Sequence, residues 1–336
     1  MGLGNKKEYL SFDIFKKKRF WNLMKFLFIP GKGKLNYFPL RYNIDPSSVC
    51  NLKCPYCIHC KDNDNTKIKK SIMSMEDFLI IFNKIKDYAL LIEFYNFGEP
   101  LLNKNLPEMI KMCSDFGIKT RISSNMSVDV GEDFLSRLID SGINRITCAV
   151  DGHNDEINKK YRVGSNFDII TKNINTLVKL KKSKNAKKTV ISWRTLLFEW
   201  NYAYKEDIKK TAMEFGVDEI NFDPGSFMLN DRKVSWDISN KKWKDSKKKF
   251  SKDIINKQSG KKCSFLFNST IVNANGNLIT CCLSGEKEAE NKESLVLNSL
   301  YDVWNSKEFI NTRLYNLGIS DDRQNILELC KKCRLL

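Results

Sequence analysis

The amino-acid sequence predicts an α/β protein in which helices cover a parallel sheet that forms an open or closed barrel. Short apolar segments alternate with amphipathic helical patterns about six times between residues 41 and 225, the order expected of strand–helix repeats. The composition then changes, because residues 263–336 combine five cysteines with turn sequences. In such barrels the functional residues collect at the carboxyl ends of the strands.

The elements of the repeat can be assigned in order. Strands are predicted at residues 42–44, 91–95, 119–123, 145–150, 190–197 and 219–222. Helices are predicted at residues 75–88, 106–116, 132–141, 169–180 and 206–215. Beyond a lysine-rich stretch, two short strands are predicted at 265–272 and 278–281, separated by the turn sequence Asn275-Gly276-Asn277.

These patterns divide the chain into four regions. The predicted regions are an N-terminal basic amphipathic extension (1–40), the strand–helix repeat (41–225), a linker (226–262) and a cysteine-rich C-terminal domain (263–336).

The N-terminal extension contains an amphipathic segment at residues 11–29. Its large apolar residues are Phe15, Phe20, Trp21, Leu23, Met24, Leu27 and Phe28. A helix lying on a lipid surface is one interpretation. Packing of this face on the protein's own core is the interpretation we prefer, because Phe and Leu at helical spacing usually belong to a core.

The overall charge is strongly basic, with 57 Lys and Arg against 40 Asp and Glu and a net charge of +17. The lysines are scattered through the chain, whereas nucleic-acid grooves combine a basic track with aromatic side chains. We therefore expect a solvated lysine-rich surface and no nucleic-acid partner. No apolar run approaches the roughly 18 residues that span a bilayer, so we expect no transmembrane segment and a cytoplasmic protein.

Eleven cysteines accompany only two histidines. In a reducing compartment such cysteines indicate metal or redox chemistry rather than disulfides. Cys113 and Cys148 lie within a predicted helix and a predicted strand, where we expect buried thiols that act as small apolar residues.

Three of the cysteines, Cys50, Cys54 and Cys57, lie within eight residues directly after the first predicted strand. Three thiolates on one loop can hold a [4Fe-4S] cluster and leave its fourth iron without a protein ligand. A structural zinc loop is the alternative, but zinc sites usually have paired CxxC spacing.

This CxxxCxxC motif, with Tyr56 before its last cysteine, resembles that of the radical S-adenosylmethionine (SAM) superfamily, and the resemblance extends over residues 41–225. It implies a partial (β/α)6 barrel in which SAM binds the open iron. One-electron cleavage of SAM would then give a 5′-deoxyadenosyl radical that abstracts hydrogen from substrate. The resemblance also implies an electron donor such as flavodoxin or ferredoxin.

Further SAM-binding residues follow from the same resemblance. Phe97-Gly98-Glu99-Pro100 is similar to the family's Gly-Gly-Glu-Pro, with Phe97 in place of the first glycine. A glycine allows close backbone approach to the methionine ammonium group, and a glutamate adds a charge-assisted hydrogen bond. Gly98, Glu99 and Pro100 are therefore predicted to contact SAM. The resemblance implies the same for Tyr56 of the cysteine motif.

Three later segments complete the predicted SAM site. Ser124 and Asn125 resemble the family's ribose-binding step. Asp151 ends the next strand as in the family's Ser-x-Asp-Gly, with Ala149 in place of the serine. Arg162 is a candidate partner of the SAM carboxylate, with an exposed structural arginine as the equal alternative.

The second cysteine set is Cys263, Cys281, Cys330 and Cys333. These thiolates could complete an auxiliary [4Fe-4S] cluster, although spacing alone favours zinc. The pattern resembles the shortened SPASM domain called twitch, and its spacing is similar to that of 2-deoxy-scyllo-inosamine dehydrogenases. Cys282 is a spare neighbouring thiol and a candidate hydrogen donor to a substrate radical.

The expected reaction is oxidation or epimerisation of a hydroxyl-bearing carbon on a sugar, cyclitol or nucleotide-linked sugar. A peptide-modifying maturase is the close alternative. A non-catalytic iron–sulfur or zinc protein is the alternative from another class.

Overall fold

The computed structural model describes residues 16–29, 31–55, 57, 70–224, 263–279, 281, 294–322 and 324–331. Eight strands form one sheet. They are β1 (Arg41–Ile44), β2 (Leu91–Phe94), β3 (Lys119–Ser124), β4 (Arg145–Ala149), β5 (Val190–Leu197), β6 (Glu219–Pro224), β7 (Ser269–Val272) and β8 (Leu278–Ile279). Their order is β6-β5-β4-β3-β2-β1-β7-β8.

Helices connect the strands and cover one face of the sheet. They are α1 (Lys17–Phe28), α2 (Met75–Ile85), α3 (Leu106–Asp115), α4 (Gly131–Asp140), α5 (Asp155–Lys159), α6 (Phe167–Ser183), α7 (Glu199–Tyr202), α8 (Lys205–Glu214), α9 (Ser264–Phe267), α10 (Leu300–Trp304), α11 (Lys307–Asn316) and α12 (Glu328–Lys331). Every neighbouring pair from β1 to β6 is parallel, which confirms the predicted α/β fold class.

Side-chain caps explain where several helices begin. The Asp77 N–H donates to the Ser74 hydroxyl at the start of α2 (3.0 Å), and the Asp168 N–H donates to Asn166 Oδ1 at the start of α6 (2.9 Å). These bonds satisfy backbone donors that have no partner inside the helix.

The core lies between the strands and the helices. Alternate strand residues such as Tyr42, Ile92, Ile122 and Trp193 are fully buried in one cluster with the helices. Cys113 on α3 and Cys148 on β4 belong to this cluster too, as predicted, and burial raises the pKa of the Cys148 thiol to about 12. Because strand side chains alternate, the residues between them point to the opposite face, inside the barrel.

Helix α1 lies next to the amino ends of β1 and β2. Its buried residues differ from those predicted from the sequence. Leu23 packs with Leu40, Leu90 and Leu91 next to the starts of β1 and β2. Arg19 is fully buried and donates to the carbonyls of residues that follow α2 and α3.

We preferred the interpretation that the apolar residues of segment 11–29 pack on the protein's own core. This prediction is wrong for most of these residues. Phe20, Trp21, Leu27 and Phe28 are exposed, whereas the polar Arg19 and Asn22 are buried. The reason is that capping of helix ends by Arg19 fixes which side of α1 faces the barrel. Phe15 lies outside the described residues. Within the described part of the chain, no helix combines the length and apolar character needed to cross a bilayer.

The C-terminal region extends the same sheet. β7 lies parallel to β1, and β8 turns back antiparallel to β7. The strand predicted at 265–272 is wrong in its first half, where residues Ser264–Phe267 form the short helix α9. Arg313 explains the difference, because its buried guanidinium donates to the carbonyls of Leu266 (2.7 Å) and Trp304 (2.6 Å).

Candidate functional site

The cysteine loop follows β1 at the carboxyl edge of the sheet. Cys54 is buried, and Cys50 and Cys57 are half-buried. The three thiols lie in one apolar cluster whose other members are Leu52, Tyr161, Leu196, Phe198 and Trp200. The Cys57 N–H donates to the Cys54 carbonyl (3.0 Å), which turns the loop back on itself.

The thiols of this loop are shifted toward the neutral form. Burial is the main cause that raises the pKa of Cys50 to about 11 and of Cys54 to about 12, and the negative charge of neighbouring thiolates adds to it. Iron ligation requires thiolates, so cluster binding must release protons.

The donor set fits an iron–sulfur cluster. Among the described residues, no three His, Cys, Asp or Glu side chains converge as they would around a single metal ion. A cubane is larger than one ion and takes one thiolate at each corner. The three cysteines are close enough to influence one another electrostatically and offer thiols alone, which is the ligand type that such clusters use.

The loop after β2 packs directly against the cysteine loop. A Cβ atom on Gly98 would lie 1.9 Å from the Ser47 carbonyl oxygen, so only glycine fits there. The next residue, Glu99, is buried and accepts hydrogen bonds from the N–H groups of Leu101 (3.1 Å) and Asn125 (2.8 Å). Burial raises the pKa of Glu99, although these donors and Ser124 offset part of the effect.

The loop after β3 is tied to the same place. The Asn125 side chain donates to Asn51 Oδ1 (3.0 Å) and lies 3.9 Å from Cys50 Sγ. Ser124 Oγ accepts from the Met126 N–H (2.9 Å), which supports the left-handed backbone of Met126. The structure therefore brings Glu99, Asn125 and the cysteine loop together.

The loop after β4 supplies a buried ion pair. Arg162 Nε donates to Asp151 Oδ2 (2.6 Å), and the other carboxylate oxygen of Asp151 accepts from the Leu196 N–H (2.7 Å). Burial disfavours the charged guanidinium, but the neighbouring charge of Asp151 is the largest of the effects that outweigh burial and raise the pKa of Arg162. Arg162 is therefore not the exposed structural arginine of the alternative, since its side chain is only 16% exposed. One oxygen of Asp151 thus holds Arg162 beside the cysteines, and the other is bonded to the backbone of β5.

Other predicted site residues lie elsewhere or outside the described part of the chain. Pro100 is buried at the start of a 3-10 turn (Pro100–Leu102) whose cap is Glu99. In the C-terminal region, Cys263 and Cys281 are half-buried and Cys330 is buried, and the described cysteines form no disulfide. Tyr56, Cys282 and Cys333 lie outside the described residues.

Sequence reasoning missed the packing role of Phe97 and did not single out Asp45. Phe97, the departure from the family's glycine, is buried against Phe265, Ile271 and Ile279 and so joins the loop after β2 to the C-terminal region. Asp45 is buried directly after β1. Burial raises its pKa to about 8, and the backbone N–H groups of Gly98 and Phe97 offset part of the effect. The only feature of the sequence that could have drawn attention to Asp45 is its position between the first strand and the cysteine loop.

Asp45 predicts a pH dependence of stability. Its carboxyl group keeps a proton in the folded protein up to about pH 8, whereas the unfolded chain loses it near pH 4. The folded state therefore binds more protons over this range, and the free energy of unfolding falls as the pH rises from about 4 to about 8. Asp45→Asn should remove more than about 1 kcal/mol of this fall between pH 5.5 and pH 8 in urea titrations. Asp133→Asn, at an exposed site on α4, should leave the pH profile unchanged; equal profiles for both variants would contradict a neutral Asp45.

The interior of the barrel is lined by charged pairs. Near the amino ends, Glu93 binds Arg41 and accepts from the Tyr95 hydroxyl (2.8 Å). Arg145 makes a two-bond contact with Glu219 (2.7 and 2.9 Å).

Nearer the carboxyl ends lies the pair of Arg194 on β5 and Asp223 on β6. Arg194 Nε donates to Asp223 Oδ2 (2.6 Å), and their side chains are 41% and 37% exposed. Arg194 is in register with Ala149, the last residue of β4, which places this pair at the edge of the sheet that carries the cysteine loop.

Comparison with known proteins adds an independent finding. A sequence model described as the radical SAM superfamily matches residues 44–231, and a SPASM model described as an iron-sulfur cluster-binding domain matches residues 263–334. Streptococcus suis SuiB bound to S-adenosylmethionine superposes with a TM-score of 0.62 at 16% identity, over 95% of this chain and 74% of that one. Native anSMEcpe with bound AdoMet gives a TM-score of 0.58 at 17% identity, over 88% and 86%. Both share the fold.

Curated relatives match shorter stretches. A probable GTP 3′,8-cyclase of Methanococcus maripaludis is 33% identical over 140 residues, which is 42% of this chain and 45% of that protein. The PqqA peptide cyclase of Bradyrhizobium diazoefficiens is 25% identical over 114 residues, which is 34% and 29%. The matched part is thus less than half the length of each of these relatives.

Proposed function

The chain belongs to the radical SAM superfamily and carries a SPASM iron–sulfur domain, and we propose that it oxidises or epimerises a hydroxyl-bearing carbon of a sugar, cyclitol or nucleotide-linked sugar. One curated relative is named for a nucleotide and another for a peptide, so the relatives do not favour one substrate class over the other. The choice is supported by the polar interior of the barrel.

The proposal assigns a role to each part of the site. Bound [4Fe-4S] clusters and SAM supply one-electron cleavage of SAM, hydrogen abstraction and an acceptor for a further electron. Cys50, Cys54 and Cys57 would hold the first cluster. Glu99, Asn125 and Arg162 lie near these cysteines, and their carboxylate, amide and guanidinium would suit the ammonium, ribose and carboxylate groups of SAM.

A second group of residues would hold the auxiliary cluster and the SAM loops. Cys263, Cys281, Cys330 and Cys333 are the proposed ligands of the auxiliary cluster. Gly98 and Pro100 shape the loop that carries Glu99, Ser124 supports that carboxylate, and Asp151 orients Arg162. The roles of Tyr56, beside Cys57, and of Cys282, as hydrogen donor, stay predictions.

The ion pair of Arg194 and Asp223 is the observation that supports this substrate class. Both side chains are partly exposed at the carboxyl edge of the sheet, so they can exchange their mutual contact for contacts with a ligand. A guanidinium binds phosphate or adjacent hydroxyl oxygens in a two-bond geometry, and a carboxylate accepts from hydroxyl groups. Such a pair suits a hydroxyl-rich or phosphorylated small molecule.

The first test is anaerobic reconstitution in a reducing buffer that resembles the cytoplasm. We expect about eight irons per chain with little zinc, as two cubanes require, and release of 5′-deoxyadenosine from SAM with dithionite. A panel of nucleotide sugars, free cyclitols and peptides then identifies the class that accelerates this release. Iron binding without SAM cleavage would indicate a non-catalytic iron–sulfur protein, and acceleration by peptides alone would indicate a maturase.

Arg194→Gln distinguishes the substrate site from the SAM site. We expect it to remove the acceleration by substrate and to leave the basal cleavage of SAM unchanged. Arg145→Gln is the matched control, because Arg145 pairs with an acid in the same interior but nearer the amino ends of the strands. Equal effects of both variants on the acceleration would contradict a substrate contact at Arg194.

A further inference from the structure

Helix α1 presents an apolar stripe to solvent. Phe28 is 71% exposed, Trp21 55%, Leu27 49% and Phe20 37%. At 100° per residue these four side chains fall on one side of the helix, together with the half-buried Met24. Four large exposed apolar side chains on a single helix form a contiguous patch of the kind that marks an interaction surface.

The orientation of α1 is fixed by polar contacts on its other side. Arg19 donates to the carbonyls of Lys86 (2.9 Å), Gly117 (3.1 Å) and Phe116 (3.4 Å), which follow α2 and α3. The Asn22 side chain exchanges two hydrogen bonds with the backbone of Phe38 (2.8 and 3.1 Å). The apolar stripe cannot turn inward without breaking these buried bonds, so it is a stable feature of the surface.

The segment that carries the stripe has a positive charge, and of its lysines Lys18 pairs with Asp87 (3.0 Å). Residues 16–34 contain seven Lys and Arg and no Asp or Glu. Lys17, Lys18 and Lys25 are exposed on α1, and Lys32 and Lys34 are exposed just after it. Aromatic and aliphatic side chains flanked by lysines are the composition of a helix that lies in the interface of an anionic bilayer.

We propose that α1 attaches this protein to the surface of a membrane that contains anionic phospholipid. Charge complementarity favours an anionic membrane as the partner of this surface. A second copy of the chain would place the same cluster of lysines against this one and would be repelled. The geometry also suits catalysis, since α1 covers the amino ends of the strands. The opposite edge, which carries the cysteine loop, then faces away from the lipid.

The experiment uses the full chain, reconstituted anaerobically, with vesicles of phosphatidylcholine alone or mixed with phosphatidylglycerol. We expect co-sedimentation with the anionic vesicles only, weakened by salt. Lys17→Glu with Lys25→Glu should lower the partition coefficient by about tenfold or more. Lys209→Glu with Lys210→Glu changes the net charge equally at exposed sites on α8 and should retain binding close to that of the unmodified chain.

A fluorescence measurement reports insertion of the helix itself. Of the six tryptophans, Trp193 and Trp304 are fully buried and Trp200 is half-buried, whereas Trp21 is exposed on α1, so brominated lipid should quench the Trp21 emission. Trp236 and Trp243 lie outside the described residues, so the difference that Trp21→Phe makes identifies the contribution of Trp21. Trp21→Phe should keep binding and reduce the quenching, and Phe28→Ser should lose binding while the basal cleavage of SAM is unchanged.

Three results would overturn the proposal. They are equal binding to neutral and anionic vesicles, equal loss of binding in the two charge-reversal pairs, and absence of vesicle binding together with a dimer in light scattering that Phe28→Ser dissociates. The last result would assign the stripe to contact between copies of the chain.

Discussion

Replacing Cys54 with alanine is expected to abolish 5′-deoxyadenosine formation and to remove about four irons per chain, the content of one cubane. Cys54 is the most deeply buried of the three thiols in the cysteine loop and lies among Leu52, Tyr161 and Phe198. Alanine leaves an apolar gap, and the described neighbours Leu52, Tyr161 and Phe198 have no thiol to fill it. Iron analysis and product chromatography on the same anaerobic sample measure both effects.

Two matched variants separate cluster loss from loss of folding. Cys113→Ala also removes a buried thiol, but from the core beside α3, so we expect full iron content and a stability loss of only about 1–2 kcal/mol. Cys330→Ala should lose a similar amount of iron to Cys54→Ala while keeping part of the uncoupled SAM cleavage. If Cys54→Ala and Cys330→Ala lost cleavage equally, the two clusters would not have the separate roles proposed.

The barrel could be predicted because its strands are short, apolar and regularly interrupted. The sequence patterns located β1 to β6 to within two residues at each end, since burial on the helix-facing side leaves a periodic trace in residues such as Ile92, Ile122 and Trp193. Helix α1 was located as well, but its buried side was not. Arg19 is buried because three carbonyls from distant parts of the chain meet it, and no local pattern contains that information.

Some residues of the candidate site could likewise be predicted from the sequence, whereas others could not. The cysteine loop and Glu99 stand out in the sequence because their chemistry is concentrated in short motifs. The contact of Arg162 with Asp151, the proton held on Asp45 and the pair of Arg194 with Asp223 each depend on two loops or strands that meet only in the fold. Their charges look like ordinary surface charges until burial and pairing are known.

Gly98→Ala is expected to produce the second large effect. The added Cβ would lie 1.9 Å from the Ser47 carbonyl oxygen and 2.6 Å from that of Val49, and both are backbone atoms that cannot rotate away. The loop after β2 must therefore shift from the cysteine loop and stretch the bond that the Glu99 N–H donates to the Val49 carbonyl (2.9 Å). We expect SAM affinity to fall at least about tenfold, and stability to fall by about 3 kcal/mol, the upper end for an overpacked site.

Gly318→Ala is the control that isolates the steric clash at Gly98. Gly318 follows α11 with a φ of +66° and no atom within 4 Å of an added Cβ. Alanine there costs roughly 1–2 kcal/mol for the left-handed backbone and should not change SAM binding. Titration of SAM into each reconstituted variant, together with urea unfolding, compares the two. Full SAM affinity in Gly98→Ala would show that this loop can move without disturbing Glu99 and would argue against Glu99 as a SAM contact, since its carboxylate is held in place by the same backbone.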